Sequence, residues 1–535
     1  MIKKAILYTS NFEKLATLAQ YLVHDDWEII SAGETARFLK ENNIPFQVAK
    51  PLLSNANSDD SFISILHMIL ASGRNLLESS LYTEDVINLV CMNLEPKFKK
   101  INEFKEVNKT ENCINLQHVT LIRAAAKNYM NVVVLTDPAD YQETIIQLKT
   151  ESMSSDYRLY LAGKALSLCA AYDSADANSI TSVMAPHEFP SYFLLPFKFS
   201  GKLSHGLNEH QEAALYSLND QVGALSGMKK IQGKEMNTGI YANCYAAWRA
   251  VSIFTRVLKT SLSFESKDHN GYPFLTQLSP AAGSVFSIAV KNLNPVGSAL
   301  GSNLIESFRK NYSCDPASFK GSVFGCSCVI DEEAALQLMN CDFMAIIAPD
   351  FTKEAKAVFA SNKDLRLVIA SKQADSKYDL SFMDGGLLVS RPDKMIQKNL
   401  RVVTQLRPTR PQVYAMAFGM LIAMVSKSDC AVVVNDTAAV GISAGNTTRS
   451  RAVRYALMEA KEYFEKNNLT SEERNAEILV SDSAIEFDEH AKTMADAGIK
   501  AVIQTGGSET DEEFIQYCNE HGIAMVFTGI QHLAI

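Results

Sequence analysis

The sequence lacks the surplus of basic residues that nucleic-acid-binding proteins usually carry. Its 51 lysine and arginine residues are outnumbered by 60 aspartate and glutamate residues, and the formal net charge is -9 at pH 7. A nucleic-acid partner is therefore not expected. Long apolar runs are missing as well, because the most apolar segment, 413–425, is too short to span a bilayer. We predict a buried helix there and expect no membrane partner.

The sequence also shows no secretory leader and no secreted-type cysteine framework. The apolar run after the basic N-terminus is too short for a signal peptide. The ten cysteines are scattered, and Cys326 and Cys328 have no second pair at zinc spacing, which favours buried thiols over a metal site. These features predict a reducing, cytoplasmic location. The length of 535 residues, with 47% hydrophobic and 21% charged residues, predicts a globular protein of several domains.

The order of apolar segments predicts a parallel α/β domain at the N-terminus. Residues 3–9 and 28–31 have the character of strands, and residues 11–22 have the apolar spacing of a helix. Strand, helix, strand in succession is typical of a parallel sheet. Further predicted elements in this half are strands at 86–92 and 131–135 and a helix at 158–173. Residues 174–202 lack clear periodicity, and we predict the domain boundary within them.

A short segment at 290–297, Val-Lys-Asn-Leu-Asn-Pro-Val-Gly, follows a strand-like run. Proline and glycine predict a turn over Asn294–Gly297. A lysine and two amides at the end of a strand are well placed to contact an anionic substrate or a developing charge. Residues 441–449 are small, end in arginine and precede a predicted helix, so they form a second candidate anion cradle.

Several segments follow one another in a characteristic order. The N-terminal half contains residues 122–128, Ile-Arg-Ala-Ala-Ala-Lys-Asn, and 137–141, Asp-Pro-Ala-Asp-Tyr. The C-terminal half contains Gly206-x-Asn208-x-His210-Gln211, Gln232-Gly233-Lys234-Glu235, Ala246-Ala247-Trp248, Asn294-Pro295-x-Gly297, Cys314-Asp315-Pro316, Gly445-x-x-x-Arg449, and residues 505–508 and 526–529. Together these segments resemble the bifunctional purine-biosynthesis family in which AICAR transformylase is joined to IMP cyclohydrolase.

The resemblance implies an α/β protein with two parts. Residues 1–195 would form an IMP-cyclohydrolase-like domain with a methylglyoxal-synthase-like parallel sheet. Residues 196–535 would form a transformylase-like region of two cytidine-deaminase-like αβα subdomains. The implied reaction transfers a formyl group from the co-substrate 10-formyltetrahydrofolate to AICAR, a small nucleotide, and then closes the ring to IMP. The resemblance also implies a homodimer and a structural alkali cation.

The resemblance assigns roles to residues that match the family's motifs. Lys291 and Asn292 are expected to be catalytic. The implied substrate-binding residues are His205, Asn208, His210, Gln211, Lys234, Asn294, Asp436, Gly445, Arg449, Asp482, Glu489 and Lys127. No residue of this chain is assigned as a metal ligand. Asp482 is open to a structural role near the cation, and Lys127 is equally well explained as part of a solvated helix face.

The chain departs from the family at the residues that carry the chemistry of formyl transfer. The family's Lys-His is Lys291-Asn292 here, and an asparagine does not titrate near neutral pH. Losing a general acid or base typically removes on the order of 10²–10⁴ in rate. His205 and His490 are candidate replacements, although a neutral exchange is the favoured interpretation for both. The family's two central aromatics fall at Ala484 and Ile485, which should loosen a bound heterocycle.

The N-terminal half departs as strongly. The family's Ser-Asp-Lys-Thr-Gly is Ser-Asn-Phe-Glu-Lys at 10–14, and its Ser-Thr-Gly-Gly-Thr has a glutamate at position 34. Both changes oppose binding of a phosphate dianion. Three hypotheses follow: a formyltransferase with a weak or lost cyclohydrolase half, a catalytically silent homologue that binds a nucleotide-like metabolite or regulates a partner, and an enzyme of the same fold with another substrate.

Overall fold

The structure is a computed structural model that describes residues 2–48, 59–72, 86–94, 116–184, 189–218, 223–259, 266–267, 273–274, 284–371, 376–394, 400–435, 437–467 and 477–534. The chain divides into two compact units, Met1–Lys198 with Ser217–Gln221, and Phe199–Tyr216 with Val222–Ile535. Across the described ranges, no helix combines the length and the apolar character that crossing a lipid bilayer requires.

The first unit is a parallel sheet flanked by helices. Its strands are β1 (Lys4–Tyr8), β2 (Glu28–Ser31), β3 (Gln47–Val48), β4 (Leu89–Met92) and β5 (Val133–Leu135). Its helices are α1 (Leu15–His24), α2 (Gly33–Glu41), α3 (Asp59–Ala71), α4 (Leu116–Lys127), α5 (Tyr141–Lys149) and α6 (Ser155–Met184). The strand order is β3-β2-β1-β4-β5 and every pairing is parallel. The predicted parallel α/β fold is confirmed.

Helix α6 extends beyond the helix predicted at 158–173. The stretch from residue 174, predicted to be irregular, is helical as far as Met184. Only a narrow stripe of this helix is buried, including Tyr172 and Ala175. A helix needs no more than such a stripe to pack. The many small polar residues around the stripe make its helical periodicity hard to recognise in the sequence.

The remaining strands lie in the chain from Phe197 onward, mostly in the second unit. In chain order they are β6 (Phe197–Lys202), β7 (Ala214–Leu218), β8 (Met228–Gln232), β9 (Ser266–Lys267), β10 (Pro273–Phe274), β11 (Val285–Lys291), β12 (Asn294–Gly301), β13 (Val323–Cys326), β14 (Ala345–Ala348), β15 (Arg366–Ala370), β16 (Asp379–Met383), β17 (Gly386–Ser390), β18 (Arg401–Val402), β19 (Ala431–Asn435), β20 (Ala438–Ser443), β21 (Ile478–Ser481), β22 (Ala501–Gln504) and β23 (Ala524–Phe527). The pairs β6–β7, β9–β10 and β16–β17 form separate two-stranded sheets.

The other strands of this group form one sheet of 12 strands in the order β18-β23-β22-β21-β19-β20-β12-β11-β13-β14-β15-β8. Reading outward from the β20–β12 junction, each half has an antiparallel hairpin, then parallel strands, then an antiparallel edge strand. The two halves therefore repeat one topology. No fixed-period repeat marks this duplication in the sequence.

Helices cover both faces of the large sheet and complete the predicted αβα layers. They are α7 (Thr238–Lys259), α8 (Leu304–Cys314), α9 (Pro316–Phe319), α10 (Glu332–Leu338), α11 (Lys353–Phe359), α12 (Arg410–Val425), α13 (Arg449–Lys466), α14 (Glu489–Lys492) and α15 (Asp511–Glu520). Helices α7 and α12 share one core cluster that spans both halves. Helix α12 is buried along most of its length, as the apolar run at 413–425 predicts.

The turn that the sequence places at Asn294–Gly297 lies two residues earlier. Lys291 pairs with Asn294, so only Asn292 and Leu293 connect β11 to β12. Their φ angles are 52° and 65°, as a type I′ hairpin turn requires. The Pro and Gly that suggested a turn lie inside β12.

A shift of register in the hairpin accounts for proline within a strand. The shift falls between Ala289 and Val290, with Val290 opposite Pro295 and Ala289 opposite Gly297. One residue of β12 is thus extra, as in a β-bulge. A bulge tolerates proline because a regular ladder hydrogen bond is already missing there.

Candidate functional site

The hairpin turn lies at the edge of the large sheet where the parallel strands β21, β22 and β23 end. Strands β12 and β19 both run antiparallel to β20, and β21 runs antiparallel to β19. The start of β12 at Asn294, the end of β20 at Ser443 and the end of β21 at Ser481 therefore share one edge. Open α/β sheets bind ligands beyond the carboxyl ends of their strands, so this edge is the candidate site.

Lys291 and Asn292 differ in how the structure holds them. Lys291 is half-buried, and its Nζ donates a hydrogen bond of 2.9 Å to the carbonyl oxygen of Lys320. An ammonium group has three protons, so the side chain is oriented while retaining capacity for an anionic ligand. Asn292 is exposed at the tip of the turn. It presents an amide but no proton that titrates near neutral pH.

Asn243, on helix α7, stabilises the turn between β11 and β12 through a side-chain hydrogen bond. Its Oδ1 accepts a hydrogen bond of 2.8 Å from the backbone N–H of Leu293. A left-handed conformation costs a leucine roughly 1–2 kcal/mol, and this contact offsets part of that cost. The motifs gave no role to Asn243, since the two residues lie 50 positions apart in the sequence.

Lys427 is a second residue that the motifs did not assign a role. It follows the C-terminus of α12, and its backbone N–H donates to Asn294 Oδ1 at 3.0 Å. Its carbonyl oxygen accepts a hydrogen bond of 2.7 Å from Gly445 N–H. Gly445 has a φ of 70°, which glycine adopts without strain. The structure therefore joins Asn294 and Gly445, both predicted site residues, through the backbone of an unpredicted lysine.

Asp482 lies fully buried at the end of β21. Its Oδ2 accepts a hydrogen bond of 2.5 Å from Ser428 Oγ, while Oδ1 has no hydrogen-bond partner among the described residues. Burial raises the pKa of this carboxyl, and the Ser428 hydrogen bond opposes that rise. The C-terminal segment closes over it, with His532 N–H donating to the Asp482 carbonyl oxygen at 2.9 Å. A buried carboxylate oxygen without a donor is a chemical fit for a hard cation.

Both ring nitrogens of His205 form hydrogen bonds with neighbouring residues. Asn237 Nδ2 lies 3.1 Å from Nε2, and the carbonyl oxygen of Gly206 lies 3.0 Å from Nδ1. Because the amide donates to Nε2, the proton of the neutral ring sits on Nδ1 and is donated to the carbonyl. These contacts favour a structural role at the start of α7 and oppose a proton shuttle.

Asn208, His210 and Gln211 lie on one exposed turn beside His205. Gln211 Oε1 accepts a hydrogen bond of 2.9 Å from Asn208 N–H, and Gln211 carbonyl oxygen accepts one of 2.8 Å from Gly206 N–H. Asn208 Nδ2 also donates to Gln211 Oε1 at 3.4 Å, so two of the three side chains named for substrate binding are partly engaged in shaping the turn.

Lys234 lies away from the hairpin turn, beyond the outer edge strand of the sheet. Lys234 pairs with Asp364 at 2.6 Å, and both side chains are exposed. It follows the edge strand β8, four strand spacings from β11, or about 19 Å. Arg449 and Glu489 begin α13 and α14, whose starts are tied together by a hydrogen bond from Ser450 to Asp488.

Two predicted residues remain. Lys127 is exposed at the end of α4 in the first unit. Asp436 lies outside the described residues.

Known proteins match this chain along nearly its whole length. The family described as AICARFT/IMPCHase bienzyme matches residues 125–459. Curated relatives named "Bifunctional purine biosynthesis protein PurH" include those of Clostridium acetobutylicum and Clostridium botulinum, each 32% identical over 99% of both chains. The chain belongs to the AICARFT/IMPCHase bienzyme family. A relative of the same name from Clostridium kluyveri is 30% identical over 99% of both chains.

In the first unit of this family member, the residues that follow β1 form hydrogen bonds with α2 and with the residue that follows β4. Thr35 Oγ1 accepts from Thr9 N–H at 2.9 Å and donates to Thr9 carbonyl oxygen at 2.8 Å. Asn93 Oδ1 accepts from the N–H and the hydroxyl of Ser10, at 2.7 and 3.0 Å. Glu34 places a carboxylate in the first turn of α2, where a phosphate dianion would otherwise be favoured. These contacts fit an ordinary strand-to-helix turn.

A half-buried ion cluster in the first unit was also not predicted from the sequence. Lys164 on α6 contacts Asp137 at 3.0 Å and Asp140 at 2.6 Å. Burial alone would lower the pKa of Lys164, but its hydrogen bonds to the two carboxylates outweigh burial and raise it. The cluster fixes the segment 137–141, one of the family-like motifs, against α6.

Proposed function

We propose that the second unit transfers a formyl group from 10-formyltetrahydrofolate to the amine of AICAR, and that IMP cyclohydrolase activity in the first unit is weak or lost. Membership of the AICARFT/IMPCHase bienzyme family supports this reaction class. The observation that carries the proposal is the orientation of Lys291, at the candidate edge of the sheet, by its contact with Lys320.

The chemistry asks two things of this site. When the amine attacks the formyl carbon, negative charge develops on the formyl oxygen, and an oriented ammonium group stabilises such charge. Lys291 can supply that donor. The amine must also lose a proton, and Asn292 cannot accept it. Formyl transfer in this chain is therefore expected to be slow, with water taking the proton.

A second candidate is a catalytically silent or re-purposed homologue that binds a nucleotide-like metabolite or regulates a partner. Two observations favour it. Asn292 stands at the tip of the turn without a titrating group, and His205 has both ring nitrogens occupied.

Changing Lys291 to alanine tests the proposal directly. We expect formyl transfer from 10-formyltetrahydrofolate to AICAR to fall by about 10²-fold, the usual cost of removing one oriented donor. Lys320→Ala is the matched control, because only the backbone of Lys320 contacts Lys291, while its side chain pairs with Asp342 at 3.8 Å. Equal rates in wild type and Lys291→Ala would remove Lys291 from the mechanism, and no turnover in wild type would favour the silent homologue.

A cyclohydrolase assay tests the proposed loss of activity in the first unit. The formylated intermediate, offered to the wild-type chain, is expected to give little or no IMP. Rapid IMP formation would contradict the proposed loss in the first unit and would leave the formyl-transfer proposal intact.

We also propose that an alkali cation binds at Asp482, whose buried Oδ1 lacks a hydrogen donor among the described residues. The bound ion would fix the segment around Ser428 next to the site. In potassium chloride the melting temperature should exceed that in choline chloride of equal ionic strength by roughly 2–4 °C per kcal/mol of binding free energy. Asp482→Asn should abolish the difference, and Asp364→Asn, at an exposed ion pair, should preserve it. An equal melting temperature in both salts would refute the cation site.

We propose, finally, that the chain acts as a homodimer in the cytoplasm. The family resemblance supports both statements. Light scattering of the full chain measures the mass, and a monomer at micromolar concentration would contradict the dimer.

A further inference from the structure

Two cysteines lie close together at the C-terminal end of β13, outside the site described above. Cys326 is the last residue of the strand, and Cys328 follows two positions later. The Cys326 thiol donates to the carbonyl oxygen of Cys328 at 3.4 Å. The chain bends over residues 327 and 328, which brings these residues closer together than a straight strand would.

Both cysteines face the same core, while the residue between them is anchored elsewhere. Cys326 is fully buried in a core cluster, and Cys328 packs against the same cluster while remaining partly exposed. Ser327 exchanges two hydrogen bonds with the backbone of Phe286, each 3.0 Å long. Those bonds hold the backbone of the residue that separates the two cysteines.

The surroundings give the two thiols different acidities. A side-chain hydrogen bond between the two thiols lowers the pKa of Cys328, although burial and the Asp331 carboxylate oppose this effect. The same hydrogen bond, together with burial, raises the pKa of Cys326. A partly exposed thiol of lowered pKa reacts first with oxidants, and a thiol beside it can then displace the oxidised product.

We propose that Cys326 and Cys328 are a modification site that forms a reversible disulfide with a peroxide as oxidant. The Cys328 thiolate attacks one peroxide oxygen, the O–O bond breaks, and the departing hydroxide takes a proton to become water. Cys328 is then a sulfenic acid. The Cys326 sulfur attacks that sulfur and forms the S–S bond, while the hydroxyl group leaves with the thiol proton as a second water. Two thiols are oxidised, and one peroxide is reduced to two waters.

Peptide masses from the intact wild-type chain test the site without any variant. The reduced protein is treated with one equivalent of hydrogen peroxide, alkylated, and digested with trypsin and a protease that cleaves before aspartate. This digest separates residues 321–330, which hold both cysteines, from Cys341. The peptide 321–330 should lose two hydrogen atoms and its capacity for alkylation, and dithiothreitol should restore both. An unchanged peptide alongside oxidation elsewhere would overturn the proposal.

Variants assign the roles of the two thiols. Cys328→Ser should slow peroxide consumption at this peptide by about tenfold or more, whereas Cys326→Ala should leave a sulfenic acid on Cys328 that dimedone labels. Cys341→Ser, at another half-buried cysteine beside the same cluster, should behave as wild type. An unchanged rate in Cys328→Ser would overturn the assignment of the attacking thiol. If Cys326→Ala has a melting temperature well below that of wild type, its labelling is not interpreted. The peptide masses of the wild-type chain then decide whether the disulfide forms.

Discussion

Replacing Asn292 with histidine should raise the rate of formyl transfer by a factor on the order of 10²–10⁴. The substitution supplies a group that titrates near neutral pH at the tip of the β11–β12 turn, beside the oriented Lys291. The backbone tolerates it, because Asn292 has a φ of 52° and histidine, like asparagine, is enriched in the left-handed region among non-glycine residues. The rate should be measured with AICAR and 10-formyltetrahydrofolate at saturating concentrations.

The pH profile separates proton transfer from a change in the shape of the turn. With histidine at position 292, the rate should fall as the pH drops through about 6.5, because the protonated ring cannot accept the amine proton. Wild type should lack this limb. Asn292→Gly is the matched control, since glycine fits the same φ without a side chain, and its rate should not exceed that of wild type. A histidine variant no faster than wild type at any pH would show that residue 292 does not reach the amine.

Replacing Gly441 with alanine should lower the free energy of unfolding of the second unit by about 3 kcal/mol. Gly441 lies in β20 under helix α13, and a Cβ there would sit 2.2 Å from the carbonyl oxygen of Ala456 and 3.0 Å from the backbone N of Ala460. Those atoms are backbone, so relief requires α13 to move away from the sheet. Urea or thermal unfolding, followed by a spectroscopic signal that reports on the second unit, measures the loss of unfolding free energy.

Gly386→Ala is the matched control for this prediction. A Cβ at Gly386, in β17, would meet no atom within 4 Å, so its effect should stay within about 0.5 kcal/mol. Because α13 begins at Arg449, a displaced helix should also disturb the start of α14 through the hydrogen bond between Ser450 and Asp488. Equal unfolding midpoints for the two variants would mean that α13 does not pack tightly on β20.

The location of the candidate site was predictable only in part. The motifs pointed to Lys291, Asn294 and Gly445, and the structure places the last two on either side of one backbone junction. The residue that joins them, Lys427, has no motif of its own, because its role rests on its N–H and carbonyl groups, which every residue except proline shares. The contact of Asn243 with the turn was not predicted for a related reason, since a side chain of α7 meets the turn only after α7 packs on the sheet.

His205 shows the opposite case, in which a sequence signal suggested more than the structure supports. A histidine in a motif is a natural candidate for proton transfer. Whether its nitrogens are available depends on neighbours distant in sequence, and here Asn237 occupies one of them at 3.1 Å. Lys234 is similar, because its position just after the edge strand β8 follows from strand order, which no local pattern encodes.

By itself, the sequence determined the parallel α/β fold of the first unit, the buried helix now seen at Arg410–Val425, and the presence of Lys291-Asn292 where the family has Lys-His. Apolar periodicity and residue identity are local properties, and they persist in any fold the chain adopts. The tertiary structure alone decided the two-residue turn at Asn292 and Leu293, the duplicated topology of the large sheet, and the contact of Asn243 with that turn. Each of these depends on strand register and on packing between distant segments, which arise only when burial of the apolar faces brings those segments together.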